Sequence, residues 1–237
     1  IAMLPAVARA PRRAALQRGT TMRIASLLLA TVLGLAACAP SAPTVTSNPA
    51  VASGVYGART DSGPSGEPIE IHAVRKAYLT DRNTRQRVAY NGPEEPGTIV
   101  VDIDKRQLAL VQADGTAVQY GVGVGKLGFS WKGEARVGRK GVWPDWSPTT
   151  TMVSLNPDLP RPRKGGVDNP LGARALYLYQ DNRDILFRIH GTNEPWSIGE
   201  QMSSGCVRML NEDIVDLYER VPVGATVLVK RNGKYRV

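Results

Sequence analysis

The chain has 237 residues, 42% of them hydrophobic but only 6% aromatic, with 24 Gly, 17 Pro, two Cys and a formal charge of +9. That length suits one ordinary domain with tails, and the two cysteines exclude both a disulfide-dense miniature fold and a four-cysteine zinc site. A charge of +9 would point to nucleic acid only if it were spread over the folded part, and it is not.

The charge is concentrated at the start. Residues 1 to 37 hold Arg9, Arg12, Arg13, Arg18 and Arg23 and no acid; removing these five of the 30 basic residues leaves 25 against 21 acidic ones, a balance of +4 that gives no case for a nucleic-acid partner. From Met22 a short basic start (Met22, Arg23) leads into an apolar run, Ile24 to Leu35, and then Leu35-Ala36-Ala37-Cys38. This order predicts a secretory signal over 22–37, too short for a typical spanning helix. The small residues ahead of Cys38 resemble a bacterial lipobox, whose cysteine is diacylated on sulfur and becomes the new N-terminus. With Ala39 rather than Asp next, the resemblance implies, in a two-membrane envelope, sorting to the outer membrane. The competing readings are a transmembrane anchor and an ordinary cleaved signal with an incidental cysteine. Residues 1–21, which begin with Ile, read as sequence upstream of a start at Met22.

Of the 28 residues from Ala39 to Gly66, 22 are Ala, Pro, Ser, Thr, Gly or Asn, too little apolar surface to offset chain entropy. Residues 38–66 are therefore expected to be a flexible tether with a span of about 30 Å. The charged, mixed stretch over 67–95 reads as a lead-in strand or helix on the edge of the domain that follows.

From Thr98 the texture becomes β-rich. Thr98 to Ile103, Gln107 to Val111 and Ala117 to Val124 are short β runs separated by Asp104-Lys105-Arg106 and Ala113-Asp114-Gly115, and further strands are predicted at Ala175–Tyr179, Ile185–His190 and Ala225–Lys230. One amphipathic helix is clear, Asn211 to Val221, with Asn211 as N-cap and Glu212 and Asp213 suited to its positive end. Between Trp143 and Gly172 lie six prolines (144, 148, 157, 160, 162 and 170) and little β texture beyond Thr150–Leu155. So long a loop is expected to be a lid over a cleft, the alternative being a disordered segment. The predicted fold class is mostly β, a β-rich α+β domain.

The chemistry points to His190 and Cys206. If Cys38 carries lipid, Cys206 is the one thiol left in an exported protein, and it sits in a small flexible turn, Ser203-Ser204-Gly205-Cys206-Val207-Arg208. Arg208, an imidazolium or backbone N–H groups could stabilise its thiolate. The chain has two histidines. His72 lies in the lead-in, whereas His190 ends a β run, so a histidine base for Cys206 would be His190. The alternative is a structural histidine and an inert cysteine.

His190-Gly191-Thr192-Asn193, Trp196-Ser197-Ile198-Gly199, Ser203 to Met209, Asn211, Asp213 and Val221 to Val227 together resemble the L,D-transpeptidase (YkuD-like) catalytic domain. The likeness continues upstream in Pro96 to Asp102, Tyr120 to Gly125 and Asn169 to Arg174, and frames a catalytic domain over 96–231. It implies a β-sandwich-like core with one main helix after the nucleophile and a long lid loop, and a cysteine acyltransferase of peptidoglycan that needs no cofactor or metal. By the same resemblance Cys206 is the nucleophile, His190 the base and the Gly191 carbonyl the group that orients its ring. Backbone N–H groups of Ser204, Gly205 and Cys206 form the oxyanion hole. The family often has His where this chain has Ser204. Arg208 and Arg174 are candidates for holding stem-peptide carboxylates, the alternative for each being an internal salt bridge; Trp196 lines the cleft, and Trp143 and Trp146 either line it or pack in the core. The expected partners are peptidoglycan stem peptides, an envelope protein or lipoprotein as acyl acceptor, and the outer membrane through Cys38, on the periplasmic side of the cell envelope. The rival functions are an L,D-carboxypeptidase or other stem-peptide hydrolase, and a wall-binding lipoprotein without activity.

Overall fold

The structure is a computed structural model that describes residues 49–125, 131–148, 150–155, 158, 162–203 and 205–235. The signal segment, Cys38 and Ser204 lie outside the described residues. The expected tether does not hold over its described part. From Pro49 the chain forms a helical turn α1 (Pro49–Ala52) and a hairpin of β1 (Arg59–Ser62) with β2 (Pro68–Ile71). Composition misleads here because a few anchors suffice: Tyr56 is buried and Ile71 joins Trp143, Ala173 and Val215 in an apolar cluster. After a 3₁₀ turn at Lys76–Tyr78 comes β3 (Gln86–Ala89), so the lead-in does end as an edge strand.

The remaining strands are β4 (Ile99–Asp102), β5 (Gln107–Val111), β6 (Thr116–Gly121), β7 (Val124–Gly125), β8 (Gly133–Val142), β9 (Arg174–Gln180), β10 (Arg183–His190), β11 (Gln201–Ser203), β12 (Val207–Arg208) and β13 (Thr226–Lys230). Among the described residues nine strands form one mixed sheet in the order β12-β10-β9-β8-β13-β4-β5-β6-β3, and β11 pairs with β7. The parallel pair β4 and β13 lies near its middle, and Ile99, Val101, Val227 and Val229 are all buried there. Strands enclosed on both faces read as continuous apolar runs, which is why these two are plain in the sequence. The β8 strand, Gly-Glu-Ala-Arg-Val-Gly-Arg-Lys-Gly-Val, is not: only Ala135 and Val137 reach the main core, and pairing with β9 and β13 holds the rest.

The chain leaving β6 crosses to the far edge of the sheet. Gly123 bridges Arg208 in β12, with N–H to carbonyl distances of 2.9 and 2.8 Å. One apolar core therefore gathers Leu108 and Tyr120 from one end of the sheet with Ile189 and Val207 from the other. The mostly β fold with one main helix is as expected. That helix is α3 (Asn211–Arg220), whose Ile214 and Leu217 enter the same core. Lys140 Nζ donates to the carbonyls of Tyr218 (2.6 Å) and Val221 (2.8 Å), placing a cation at the negative end of α3.

Two local expectations fail. Thr150–Leu155 forms a short helix, α2, rather than a strand; two β-branched residues, Thr150 and Thr151, open it without preventing the turn. Asn211 does not cap α3; the cap position is Leu210, and the amide of Asn211 is used elsewhere. The loop from Trp143 to Gly172 is pinned at its base by Asn169, whose Nδ2 lies 3.0 Å from the Pro144 carbonyl and 2.9 Å from that of Lys164.

Candidate active site

The two candidate catalytic residues are brought together by strand register. β10 and β12 run parallel with Ile189 opposite Val207 and His190 opposite Arg208. Ile189 and Val207 are both in the core, and side chains alternate along a strand, so Arg188, His190 and Arg208 project from the opposite face. Cys206, one residue before Val207, enters from that same side, and the backbone N–H of Arg188 donates toward its sulfur. Gly205 precedes it at φ +139°, a conformation that favours glycine.

The His190 ring is fixed by the backbone. Its Nδ1 lies 2.6 Å from the carbonyl oxygen of Gly191, which can only accept, so Nδ1 carries the proton and Nε2 keeps its lone pair. Burial, and then the nearby guanidinium of Arg208, depress the imidazole to about 4, against the pull of the Gly191 and Pro170 carbonyls, which favour the protonated ring. Burial pushes the Cys206 thiol up, although the Arg188 N–H and the guanidiniums of Arg188 and Arg208 oppose the rise. At neutral pH the resting groups are thus a thiol and a neutral imidazole.

Gly191 is required by close approach: a Cβ there would run into Oδ1 of Asn211. That amide clamps the turn after His190. Its Oδ1 accepts from the N–H of Ala173 (3.0 Å) and Thr192 (3.2 Å), and its Nδ2 donates to the Thr192 carbonyl (2.9 Å). The Gly191 N–H in turn donates to the Arg174 carbonyl at 3.0 Å.

The expected substrate ligands divide. Arg174 is 8% exposed and grips Asp61 with both ends of its guanidinium, at 2.6 and 2.9 Å, so the internal salt bridge replaces the expected carboxylate-binding role. Burial disfavours the charge on Asp61, but the hydrogen bonds and charge of Arg174, with the Trp143 N–H at 2.8 Å, hold its carboxyl below the usual range. Arg208 pairs with Glu194 at 2.6 Å, yet its buried Nε has no hydrogen-bond partner and it stays beside His190. Trp196 is 48% exposed, whereas Trp143 and Trp146 are buried.

Sequence reading passed over three contributors. Arg188 lies next to the thiol, engages Asp184 at 2.6 and 2.8 Å, and stacks 4.4 Å from the Tyr177 ring centre. Its only sequence signal is its place two residues before His190. Pro170 and Asn211 fall within the motifs that carry the resemblance, but the roles of the Pro170 carbonyl and the Asn211 amide depend on the folded backbone and cannot be read from the motif.

Residues 96–229 match the profile of the YkuD L,D-transpeptidase catalytic domain. Over 153 residues the chain is 34% identical to the Probable L,D-transpeptidase YbiS of Escherichia coli K12, covering 61% of this chain and 48% of that one; it spans about half the length of the curated relatives it matches. A solved Brucella melitensis protein, described as a probable carnitine operon oxidoreductase, is 44% identical, with 63% of this chain and 96% of that one covered and a TM-score of 0.44. L,D-transpeptidase 3 from Mycobacterium tuberculosis is 15% identical, with 56% and 60% covered and a TM-score of 0.44. With more than half of its length matched, the chain belongs to the L,D-transpeptidase (YkuD) catalytic domain family.

Proposed function

We propose that the protein is a peptidoglycan L,D-transpeptidase working by cysteine acyl transfer. The observation that supports this most is the register of β10 and β12, which brings His190, with its Nδ1 held by the Gly191 carbonyl, and Cys206 to one face of the sheet. Nε2 of His190 takes the thiol proton as the sulfur attacks the carbonyl between the L-centre of the position-3 diamino acid and the terminal D-Ala of a tetrapeptide stem. Backbone N–H groups of Ser204, Gly205 and Cys206 receive the developing oxyanion. The carbon–nitrogen bond breaks, His190 returns its proton to the departing D-Ala amine, and a thioester remains. An acceptor amine then attacks, His190 takes its proton, and the acyl group passes on while the thiol is restored.

The imidazolium formed in each half-reaction is favoured by the Gly191 and Pro170 carbonyls, which partly offset the burial and the Arg208 charge that disfavour it. Arg208, whose guanidinium lies beside His190 and pairs with Glu194, is the stem-carboxylate ligand in this reading, and Trp196 lines the approach. The product is a 3→3 cross-link when the amine is a second stem, or a wall-anchored protein when it belongs to an envelope protein. The enzyme acts on the periplasmic side of the envelope, held by lipid on Cys38 to the outer membrane. Among the described residues no helix is long and apolar enough to cross a membrane.

Purified protein mixed with disaccharide tetrapeptide, followed by mass spectrometry, tests the reading. Dimer with loss of D-Ala is expected; tripeptide alone identifies a hydrolase, and unchanged substrate a binding protein. A Cys206→Ala variant that still turns over would overturn the mechanism, and a carbapenem is expected to add its mass at Cys206.

A further inference from the structure

The β10 strand is irregular just ahead of His190. Asp184 stands opposite Tyr179 and Arg188 opposite Tyr177, so Ile185, Leu186 and Phe187 bulge against the single residue Leu178 of β9. Leu186 sits in this bulge at φ +58° and is 64% exposed. A leucine so placed gains little from burial and meets the left-handed conformation at a steric cost, so the surrounding contacts must impose it.

Those contacts converge on Asp184. Its Oδ1 accepts the N–H of Leu186 at 2.8 Å, which closes the bulge, and its two oxygens take Nη1 and Nη2 of Arg188 at 2.6 and 2.8 Å. The Arg188 guanidinium also stacks on the buried Tyr177 ring, which it shares with Arg139 in one row across β8, β9 and β10. A planar cation gripped at both ends and along its face has little freedom to move.

Arg188 is level with Cys206. The register of β10 and β12 pairs Ile189 with Val207, so the positions before them face each other, and the Arg188 N–H donates toward the sulfur. Burial raises the thiol most; against it act first that N–H, then the charges of Arg188 and Arg208, while Asp184 adds a smaller upward push. His190, two residues on from Arg188, is neutral above about 4.

We propose that Asp184 and Arg188 are positioning residues for the Cys206 sulfur. The Asp184 carboxylate fixes the bulge, the bulge aims the Arg188 N–H and guanidinium toward Cys206, and both support negative charge on sulfur as its proton passes to Nε2 of His190. The inference rests on Cys206 being the nucleophile of the proposed reaction. Asp184 then acts in two opposed senses, because its grip helps the thiolate while its own charge opposes it.

The test follows alkylation of the full chain by iodoacetamide across the thiol's titration range, with the Cys206 peptide quantified by mass spectrometry, beside D-Ala release from disaccharide tetrapeptide. Arg188→Gln removes the cation and unmasks the acid, so the midpoint of its alkylation profile is expected to rise by about one pH unit. Its rate below the midpoint is expected to fall only about threefold, because a more basic thiolate is also a better nucleophile. Arg188→Lys keeps the charge and is expected to recover more than half of that rise. Asp184→Asn keeps an oxygen for the Leu186 N–H and loses the opposing charge, so its midpoint is expected at or below that of the wild type. Asp184→Ala loses the same charge together with both grips, and its midpoint is expected above the wild type. An unchanged midpoint in Arg188→Gln, or an Asp184→Ala midpoint as low as that of Asp184→Asn, would overturn the proposal. Wild-type protein that alkylates at Cys206 but releases no D-Ala would instead count against the transpeptidase reading, since the midpoints are read without turnover.

Discussion

Two neighbouring places bury titratable groups in opposite ways. At the end of β10 the His190 ring is matched by the Gly191 carbonyl, and the turn beyond it is stitched by Asn211. In the first turn of α3, immediately after Asn211, Glu212 has no contacting partner, and Asp213 has only Tyr56, whose hydroxyl lies 3.0 Å from Oδ1 while Oδ2 is orphaned. Burial drives both places toward neutrality, the imidazole down to about 4 and the carboxyls up to about 7 and 8. Only where a backbone carbonyl fixes the ring does neutrality also become direction, a lone pair on one chosen nitrogen. The lesson is that a shifted titration locates burial, and the hydrogen-bond pattern distinguishes a poised base from an uncompensated acid.

The contrast breaks most sharply at the base. His190→Gln is expected to lower turnover by about 10²- to 10⁴-fold in a product assay, with the protein still folded by circular dichroism. Near-normal turnover would move the base elsewhere. Next in size, Arg174→Met strands Asp61 without its cation and should cost about 3–5 kcal/mol in urea unfolding; a cost below about 1 kcal/mol would make that pair a surface-grade contact. Asn211→Ala removes three hydrogen bonds from the turn behind His190. It is expected to cost about 1–3 kcal/mol and to lower kcat more than it raises KM; unaltered kinetics would show the clamp to be structural only.

The smallest effect concerns pH. Glu212 and Asp213 hold their protons in the fold up to about 7 and 8 but lose them near 4 when unfolded, so the native state binds more protons and stability falls as pH rises through that range. His190 works the other way, but only between about 4 and its ordinary 6.5, which leaves the window from 6.5 to 8 to the carboxyls. Tm is expected to drop by about 3–6 °C across that window, and Asp213→Asn to flatten the slope. A slope that the substitution leaves intact would assign the loss to other groups.

Much of this was legible in the chain. Val-rich β4 and β13, the run ending at His190, and the amphipathic α3 declare themselves through periodicity, and the Ser203–Arg208 turn marks its cysteine as unlike a core residue. What stayed hidden has physical reasons. The β8 strand is carried by cross-strand pairing rather than by its own glycine- and charge-rich sequence. The arm from Pro49 to Gly66 looks too poor in apolar residues to order, because composition weighs residues equally whereas Tyr56 and Asp61 secure it through a few long-range contacts, to Asp213 and Arg85 and to Arg174 and Trp143. Arg174 looked like a ligand because its partner lies 113 positions away.

The Asp61–Arg174 contact also sets where this protein can be cut. The family match begins at residue 96, and a protein engineer following it would discard Asp61 and Tyr56 together. Such a trimmed version would leave a guanidinium with no anion at the start of β9, the strand whose Arg174 carbonyl accepts the Gly191 N–H behind the His190 ring. The inheritable unit of sequence and the unit that must be expressed together therefore have different left-hand borders.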